Sequence, residues 1–471
     1  MESIKRSADV VIAGGGASGL AAAIEIGMKA PELDVLVIEK MDAPGRKLAA
    51  TGSGRCNITN AGAEGYERAL DFFDEIGLAT RSYENGLVYP YSESARDVVN
   101  LLTKKAEALG VSFACGEELL NVRHLPAAAA SNAAAGSRSV FLLESVFRGK
   151  DSLRKVTTQA SFVVLAMGGK SGPTYGTIGD GYRIARNLGH SIVTPVPALT
   201  SVECAEWADD SKPCAIGLAG TRTKGKVTLL KYGNEENAEG KEVFSEEGEI
   251  QFTKSGLSGI CVFNMTRHMR YDRASGGSLD DFVILADLYP GGDMEAFLRR
   301  RRDSALPGEA ASDLLATVLK ENVAEYVLAS VPALGGRASE IPVSSLSDED
   351  IYSIVSTVHG LIFHPARIGG WKESQVTMGG VSLGELDEAS AESRLVDGLY
   401  ITGELADRDF PCGGYNLTNA WVSGLSAADD ICAKYAGAGT LADEEAEAAG
   451  DAEEGSPAAE ALAAETVEQE T

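Results

Sequence analysis

A glycine cluster near the amino terminus constrains the fold of this 471-residue chain more than any other feature. The segment DVVIAGGG (9–16) predicts a short buried strand, and ASGLAAAIEIGMKA (17–30) predicts the helix that follows it. A second strand is predicted by DVLVIEK (34–40). Together the three segments form a βαβ unit of about 30 residues.

The glycines at the turn between strand and helix fit the pattern G-x-G-x-x-G. Gly14 permits the tight turn, Gly16 lets a pyrophosphate approach the backbone, and Gly19 lets helix and strand pack closely. The amino terminus of the helix offers unpaired N–H groups to phosphates. Glu39 follows Gly19 by 20 residues, and its carboxylate can accept hydrogen bonds from ribose hydroxyls. The spacing predicts a dinucleotide site, for which the fingerprint alone allows NAD or FAD.

The loop GRKLAATGSGRCNITN (45–60) favours FAD. It begins five residues after Lys40, and so early a return to the cofactor suits FAD, whose flavin end needs loops on several sides. Arg46 is placed to pair with the pyrophosphate. Gly52 and Ser53 are expected to bring backbone close to the isoalloxazine.

The segment GLYITGELADRDFPCGGYNLTNAWVSG (398–424) agrees with FAD. It predicts a strand, a Gly-Glu turn and a helix capped by Asn416. Gly403 and Glu404 are expected to meet the ribityl chain, and the helix dipole is expected to stabilise reduced flavin. An ordinary capped helix is the alternative interpretation.

The predicted fold class is α/β: a three-layer, Rossmann-like FAD-binding domain interrupted by a mainly antiparallel, barrel-like β insert and a small helical insert. FVVLAMGG (162–169) predicts another buried strand of the parallel sheet. The predicted units are 1–190 (FAD-binding domain, first part), 191–290 (β insert), 291–350 (helical insert), 351–436 (FAD-binding domain, second part) and 437–471 (an acidic, Ala/Glu-rich disordered tail).

Charge and cysteine content bound the compartment and the partners. The net charge is −27, and eleven acidic residues without a basic one lie in 437–471, which leaves −16 for the rest of the chain. Seven cysteines without a C-x-x-C pair predict no disulfide framework and no metal site, and they fit a reducing cytoplasm. Without a run of 18 apolar residues, no membrane span is predicted.

These motifs, together with VVLAMGGKSGPTYGTIGDGYRIARNLGH (163–190) and TMGGVSL (377–383), resemble the BaiN/RdsA (YhiN-like) family of NAD(P)/FAD-dependent oxidoreductases. The resemblance extends from residue 8 to residue 432 and implies an FAD domain with a barrel-like and a helical insert. It also implies several of the FAD contacts. The full set of predicted cofactor-binding residues is Gly14, Gly16, Ser18, Gly19, Glu39, Lys40, Arg46, Gly52, Ser53, Val122, Gly403, Glu404, Asn416 and Leu417.

The resemblance implies reduction of a C=C bond conjugated with a carbonyl. Family members are associated with bile-acid-type enones and with uridine in large-subunit ribosomal RNA, which becomes dihydrouridine. The chain carries one dinucleotide fingerprint, so NAD(P)H is expected to dock transiently as electron donor. Two alternatives are a flavin-containing RNA- or partner-binding protein without turnover, and an FAD-dependent oxidase of a small amine.

Reduction of a conjugated C=C bond requires an acid that protonates the carbon beside the one that takes the hydride. Cys56, Cys412 and Tyr415 are the candidates, and a small buried apolar role is the alternative for each cysteine. His359 and His364 could also serve, although structural histidines are commoner.

An RNA substrate requires a positive surface. Basic clusters occur at 222–231, 267–273 and 299–302, yet residues 191–345 hold 16 Lys and Arg against 23 Asp and Glu. The clusters are equally consistent with solvated faces, so the sequence leaves ribosomal RNA and a small enone open.

Overall fold

The computed structural model describes residues 3–125, 140–149, 153–208, 215–232, 240–270 and 277–454. The helices are α1 (Ala17–Lys29), α2 (Tyr66–Glu75), α3 (Ala95–Ala108), α4 (Asp180–Asn187), α5 (Ile260–Thr266), α6 (Met294–Asp303), α7 (Glu321–Ala329), α8 (Asp348–His359) and α9 (Tyr415–Glu454). The strands are β1 (Ser3–Ser7), β2 (Val10–Ala13), β3 (Val35–Glu39), β4 (Thr59–Asn60), β5 (Thr80–Ser82), β6 (Leu87–Pro90), β7 (Ser112–Cys115), β8 (Glu117–Leu125), β9 (Val140–Arg148), β10 (Leu153–Ala160), β11 (Phe162–Leu165), β12 (Ile192–Ala198), β13 (Val202–Cys204), β14 (Arg222–Lys231), β15 (Lys241–Phe252), β16 (Gly256–Ser258), β17 (Phe282–Asp287), β18 (Leu361–Phe363), β19 (Pro365–Ile368), β20 (Val376–Val381) and β21 (Leu399–Ile401).

A parallel sheet with the order β21-β11-β2-β3-β7 positions the candidate site. Its strands are buried on both faces. In β2, Val10 and Ile12 pack into one apolar core, whereas Val11 and Ala13 pack into the core on the opposite face. Because neither face meets water, the strand is an uninterrupted apolar run, which is the pattern that predicted it.

This sheet is the middle of three layers, as the sequence predicted. Helices α1, α3 and α9 cover one face through an apolar core that includes Leu20, Leu102 and Leu425. A mixed sheet with the order β1-β10-β9-β8 covers the other face together with α4, and Phe141 and Ile184 belong to that second core.

The insert is built on a sheet with the order β18-β17-β14-β15-β16-β13-β19, in which neighbouring strands are antiparallel. The strands at its two ends, β18 and β19, are separated in sequence by His364 alone. The sheet must therefore curl until its edges approach, which confirms the barrel-like architecture. Helices α6, α7 and α8 place Leu298, Val327 and Ile354 in the same apolar core as the sheet, so the β and helical inserts share one core.

Two observations bear on the predicted unit boundaries, which stay a prediction. Strands β18 and β19 follow residue 350, where the second part of the FAD-binding domain was predicted to begin, so we propose that the insert extends to about residue 368. Antiparallel pairing of β12 with β20 ties the start of the insert to the chain that returns from it. Helix α9 continues to Glu454, past residue 437 where the acidic tail was predicted to begin, so we propose that the tail is helical in its first part. Residues 455–471 lie outside the described part of the chain.

Candidate active site

The turn between β2 and α1 has the geometry that its glycines predict. Gly14 has a φ of +107°, and a Cβ there would lie 2.3 Å from the carbonyl oxygen of Ala166. A Cβ on Gly19 would lie 2.0 Å from the carbonyl oxygen of Gly14, so the helix approaches the strand closely. At Gly16, by contrast, a Cβ would meet no protein atom within 4 Å. Gly14 and Gly19 are therefore required by packing, whereas Gly16 borders open space at the amino terminus of α1.

Glu39 closes one side of this turn from the end of β3. Its Oε2 accepts a hydrogen bond from the backbone N–H of Gly15 at 2.9 Å, and its Oε1 accepts one from the N–H of Met41 at 2.7 Å. A carboxylate has about four acceptor positions. The side chain is thus held in place and keeps acceptor capacity for a ribose.

Lys40 and Arg46 are both paired with acids in the structure. The ammonium of Lys40 lies 2.6 Å from Asp180 and connects the end of β3 to the start of α4. The guanidinium of Arg46 lies 2.8 Å from the exposed carboxylate of Asp42. Exposed pairs of this kind are weak, so the Arg46 side chain is available to an anion at the glycine turn.

Backbone strain is concentrated in the loop that follows. Gly52, Ser53, Gly54 and Cys56 have φ values of +56°, +56°, +86° and +58°. Two of these residues are not glycine, and left-handed backbone at such positions costs free energy that the surrounding structure must offset. Strain of this kind clusters at ligand sites, which fits the predicted contact of this loop with a flavin.

The amino terminus of α9 lies against the same loop. Gly414, with a φ of +99°, precedes the helix, and a Cβ there would lie 2.7 Å from the carbonyl oxygen of Thr59. The first hydrogen bond within the helix runs from the N–H of Thr418 to Gly414, which leaves the N–H groups of the first turn for a ligand.

Asn416 is not the helix cap that the sequence predicted, because α9 begins one residue earlier, at Tyr415. Its side-chain amide instead donates to the carbonyl oxygens of Phe410 and Pro411, at 2.8 and 3.2 Å, and accepts from the N–H of Phe410 at 3.0 Å. Asn416 therefore fixes the loop that leads into the helix.

Gly403 and Glu404 follow β21 at the same end of the parallel sheet. Gly403 has a φ of +64°, and its N–H donates to Ser423 of α9 at 2.9 Å. The carboxylate of Glu404 accepts from the N–H of Thr377 at 2.9 Å and lies 2.7 Å from the ammonium of Lys47. Glu404 joins three segments that surround the site, and its contact with a ribityl chain stays a prediction.

The remaining predicted contacts are buried or half-buried. Ser18 accepts a hydrogen bond from Thr402 at 3.2 Å and lies beside Gly403. Val122 belongs to the core beneath β8, and Leu417 packs against the core beneath α9.

Cys56 is enclosed by the protein. Its side chain is fully buried in the core shared by α1, α2 and α9, and burial raises its pKa to about 12. A thiol enclosed in this way cannot reach a substrate, so its placement supports the small apolar role.

Cys412 and Tyr415 lie on either side of the glycine pair that precedes α9. Cys412 is partly exposed, burial is the main cause that raises its pKa to about 12, and its Sγ lies 3.6 Å from the side-chain oxygen of Gln375. A Cβ on Gly62 would lie 3.0 Å from the hydroxyl of Tyr415. Both residues remain candidates for the proton donor.

The two histidines are paired with acids of the insert. His359 lies 2.9 Å from Asp287, and His364 lies 2.7 Å from Glu206. These contacts fit structural roles.

Helix α5 joins the insert to the loop before α9. The side-chain oxygen of Asn264 accepts the N–H of Cys412 at 2.8 Å, and Arg267 binds both the carboxylate and the carbonyl oxygen of Asp409, at 2.6 and 2.9 Å. No sequence pattern predicted these partners, since they lie about 145 residues apart.

Asn57 is the residue that the sequence analysis passed over. It lies inside the quoted motif, it is 8% exposed, and its Oδ1 has no hydrogen-bond partner among the described residues. The available signal was an amide placed between Cys56 and Ile58, both of which are fully buried.

The donors at this site fit FAD. Open space at Gly16 and the amino terminus of α1 suit a pyrophosphate, and the oriented carboxylate of Glu39 suits a ribose. The strained loop, the amino terminus of α9 and the buried side-chain oxygen of Asn57 suit the polar edge of a flavin. In the described residues no cluster of three or more His, Cys, Asp or Glu side chains could hold a metal ion. In that same part of the chain, none of the helices has the length and apolarity needed to span a membrane.

Comparison with known proteins decides the family. The family described as HI0933-like protein Rossmann domain matches residues 8–69 and 64–430. The chain belongs to the HI0933-like family. Two curated relatives belong to the BaiN/RdsA group, which is the group that the sequence motifs resemble.

These HI0933-like relatives match over nearly their whole length. A 3-dehydro-bile acid delta(4,6)-reductase of Clostridium scindens is 31% identical over 440 residues, which cover 88% of this chain and 97% of the relative. A ribosomal RNA dihydrouridine synthase of Escherichia coli is 28% identical over 444 residues, which cover 90% and 98%.

Among solved structures, the E. coli quinol fumarate reductase subunit FrdA aligns over 96% of this chain and 74% of its own, with 16% identity and a TM-score of 0.44. A flavocytochrome c3 fumarate reductase aligns over 91% and 78%, with 14% identity and a TM-score of 0.41.

Proposed function

We propose that this protein is an FAD-dependent oxidoreductase that uses NAD(P)H to reduce a C=C bond conjugated with a carbonyl. One observation carries the proposal: the glycine turn after β2 and the amino terminus of α9 after β21 lie at the same end of one parallel sheet. Two such helix termini suit FAD, because one can meet the pyrophosphate and the other the flavin edge that becomes negative on reduction. The named activities of the two curated relatives, reduction of a bile-acid enone and formation of dihydrouridine, share the conjugated C=C bond.

The chain supplies binding and orientation. Gly16 and the first turn of α1 would hold the pyrophosphate, Glu39 would hold the adenosine ribose, and the first turn of α9 would stabilise the negative charge of reduced flavin. When bound, FAD supplies hydride transfer between NAD(P)H and the acceptor. Cys412 or Tyr415 supplies the proton to the acceptor carbon.

The pairing of basic side chains favours a small acceptor over ribosomal RNA. In the first cluster, Lys224 and Lys226 of β14 stand opposite Glu249 and Glu247 of β15. Opposite charges at paired positions reduce the positive potential that this strand offers to phosphates.

Several basic side chains of the other two clusters are also paired with acids. Arg302 lies 2.6 Å from Asp348, and Arg299 is within ion-pair distance of the same carboxylate. Arg267 is bound to Asp409, and residues 271–273 lie outside the described part of the chain. We therefore propose a small enone as the acceptor and a cytoplasmic location, which the free thiols of the described cysteines support.

The decisive experiment is anaerobic reduction of the purified protein. We expect bound flavin, bleaching of its visible absorption by NADH or NADPH, and recovery of that absorption when a steroid-type enone is added. The matching saturated ketone, which lacks the C=C bond, is the control and should not restore the colour. If neither compound restores the flavin absorption and the protein consumes oxygen rapidly with a small amine, the protein is an oxidase instead.

Ribosomal RNA is tested separately. Deletion of the gene in its host should leave the dihydrouridine content of large-subunit ribosomal RNA unchanged, as measured by mass spectrometry. Loss of that base would make RNA the substrate. Tight FAD binding with no acceptor-driven reoxidation in either assay would favour a non-catalytic, partner-binding role.

A further inference from the structure

Asn57 carries a polar group that the protein itself does not satisfy. The residue is 8% exposed, and its Oδ1 has no hydrogen-bond partner among the described residues. A buried acceptor without a donor destabilises a folded protein, so such groups in native structures call for an explanation. A hydrogen-bond donor on a bound ligand would explain this unpaired oxygen.

The backbone on both sides of Asn57 is held firmly. Cys56 has a φ of +58° and donates its N–H to Thr51 at 3.1 Å. Ile58 donates its N–H to Val88 at 2.8 Å, and its carbonyl oxygen accepts from the indole of Trp421 in α9 at 2.9 Å. These bonds fix where the amide lies relative to the helix.

The orphaned oxygen lies at the amino terminus of α9. A Cβ on Gly414, the residue before the helix, would lie 3.1 Å from Oδ1 of Asn57. The N–H groups of the first helical turn lie beside it and favour a carbonyl oxygen that gains negative charge. The site therefore presents donors and one acceptor side by side.

The pyrimidine edge of a flavin matches this arrangement. Its C2 carbonyl is an acceptor, and the neighbouring N3–H is the only N–H donor on the oxidised ring. We propose that Asn57 accepts the flavin N3–H and thereby fixes the ring against α9 and tunes its reduction potential. This inference rests on the proposed function, because it requires that FAD be the bound dinucleotide.

A flavin methylated at N3 tests the contact directly. Flavin-free protein is reconstituted with FAD or with 3-methyl-FAD, and dissociation constants are measured by fluorescence quenching. Wild-type protein should bind 3-methyl-FAD about tenfold more weakly than FAD, as expected for loss of one buried hydrogen bond. In Asn57→Ala the two flavins should bind alike. The control Asn322→Ala removes an amide that bonds to Gly217 and Thr221 of the insert, and it should keep the wild-type ratio.

Two further readouts separate this contact from a structural role. Because Oδ1 has no hydrogen-bond partner among the described residues, flavin-free Asn57→Ala should lower the melting temperature no more than Cys56→Ala, which truncates the neighbouring buried side chain. A clearly larger decrease would indicate a structural hydrogen bond. In Asn57→Asp, a carboxylate beside the ring should oppose negative charge on reduced flavin and lower the midpoint potential in a dye-coupled titration.

The outcomes distinguish the inference from the proposed function. If Asn57→Ala keeps the tenfold preference for FAD, or Asn57→Asp leaves the potential unchanged, the contact at N3 is refuted while FAD binding stands. If wild-type protein binds neither flavin, the proposed function fails first.

Discussion

Two glycines of the first turn have opposite reasons to be glycine. Gly14 has left-handed backbone, and a Cβ at this position would lie 2.3 Å from the carbonyl oxygen of Ala166. Gly16 has ordinary backbone, with a φ of −83°, and open space beside it. We expect Gly14→Ala to lower the free energy of unfolding by on the order of 3 kcal/mol. Gly16→Ala should keep the wild-type stability and weaken FAD binding at least about tenfold, since its methyl group occupies the space for the pyrophosphate.

Urea denaturation of the flavin-free protein and flavin titration measure the two effects. Equal loss of stability in both variants would contradict this assignment. If folded Gly16→Ala binds FAD as tightly as wild type, the pyrophosphate does not bind at this turn.

A second prediction at this scale concerns the proton donor. Cys56→Ala should cost about 1 kcal/mol of stability and leave enone reduction unchanged, because the thiol is enclosed in the apolar core. Loss of the true donor should slow flavin reoxidation by the enone about 10²-fold while reduction by NAD(P)H continues. Cys412→Ala and Tyr415→Phe are the variants to compare in single-turnover kinetics. A 10²-fold slower reoxidation in Cys56→Ala would show that Cys56 is the proton donor after all.

At the scale of elements, the approach of α1 to α9 holds the two helix termini at one end of the sheet. A Cβ on Gly424 of α9 would lie 2.2 Å from the carbonyl oxygen of Ser18 in α1, whereas a Cβ on Gly437 would meet nothing within 4 Å. Both glycines lie within the same helix. The close contact, rather than helix formation, therefore explains Gly424.

This pair yields a matched test. Gly424→Ala should separate the helices, lower the free energy of unfolding by about 1–3 kcal/mol and weaken FAD binding. Gly437→Ala should stabilise the helix by about 0.5–1 kcal/mol, because alanine is the better helix former. Thermal melting with and without FAD measures both, and stabilisation by Gly424→Ala would show that the helices are not in close contact.

For the molecule as a whole, acid should be destabilising. Burial lowers the pKa of His190, His124 and His268 below the ordinary value, although Glu385 partly opposes this at His190. The unfolded chain then binds more protons than the folded one as the pH falls through about 6.5. The stability that these neutral histidines contribute is complete above that pH and is lost on acidification.

His190 offers the sharpest test because its ring is held on both sides, by Glu385 at 3.1 Å and by Ser393 at 2.9 Å. Urea unfolding at about pH 7.5 and about pH 5.5 should show a smaller pH dependence in His190→Asn than in wild type. An unchanged difference would mean that His190 does not titrate differently in the two states. A further decline is expected below about pH 4, since hydrogen bonds from Ser191 and His190 lower the pKa of Glu385.

Local signals were sufficient for much of this architecture. The apolar run of β2, the glycines after it and the acid at the end of β3 lie within one short stretch, so their spacing alone predicted a dinucleotide turn. The same reasoning failed at Asn416, where a residue typical of helix caps sits inside the helix and bonds to the preceding loop. Capping preference describes a local tendency, and the contacts of Phe410 overrode it.

Sequence by itself determined the parallel sheet and the family and predicted the site of the pyrophosphate, because each depends on residues close together in the chain or on long motifs. Tertiary structure alone decided that Cys56 is enclosed, that several side chains of the basic clusters lie beside acids from other segments, and that the oxygen of Asn57, beside Gly414, has no hydrogen-bond partner among the described residues. Burial and hydrogen bonding depend on which distant segments meet. An apolar pattern with a period of 2 or 3.6 predicts which face of a strand or helix a side chain occupies, but not which distant residues it contacts.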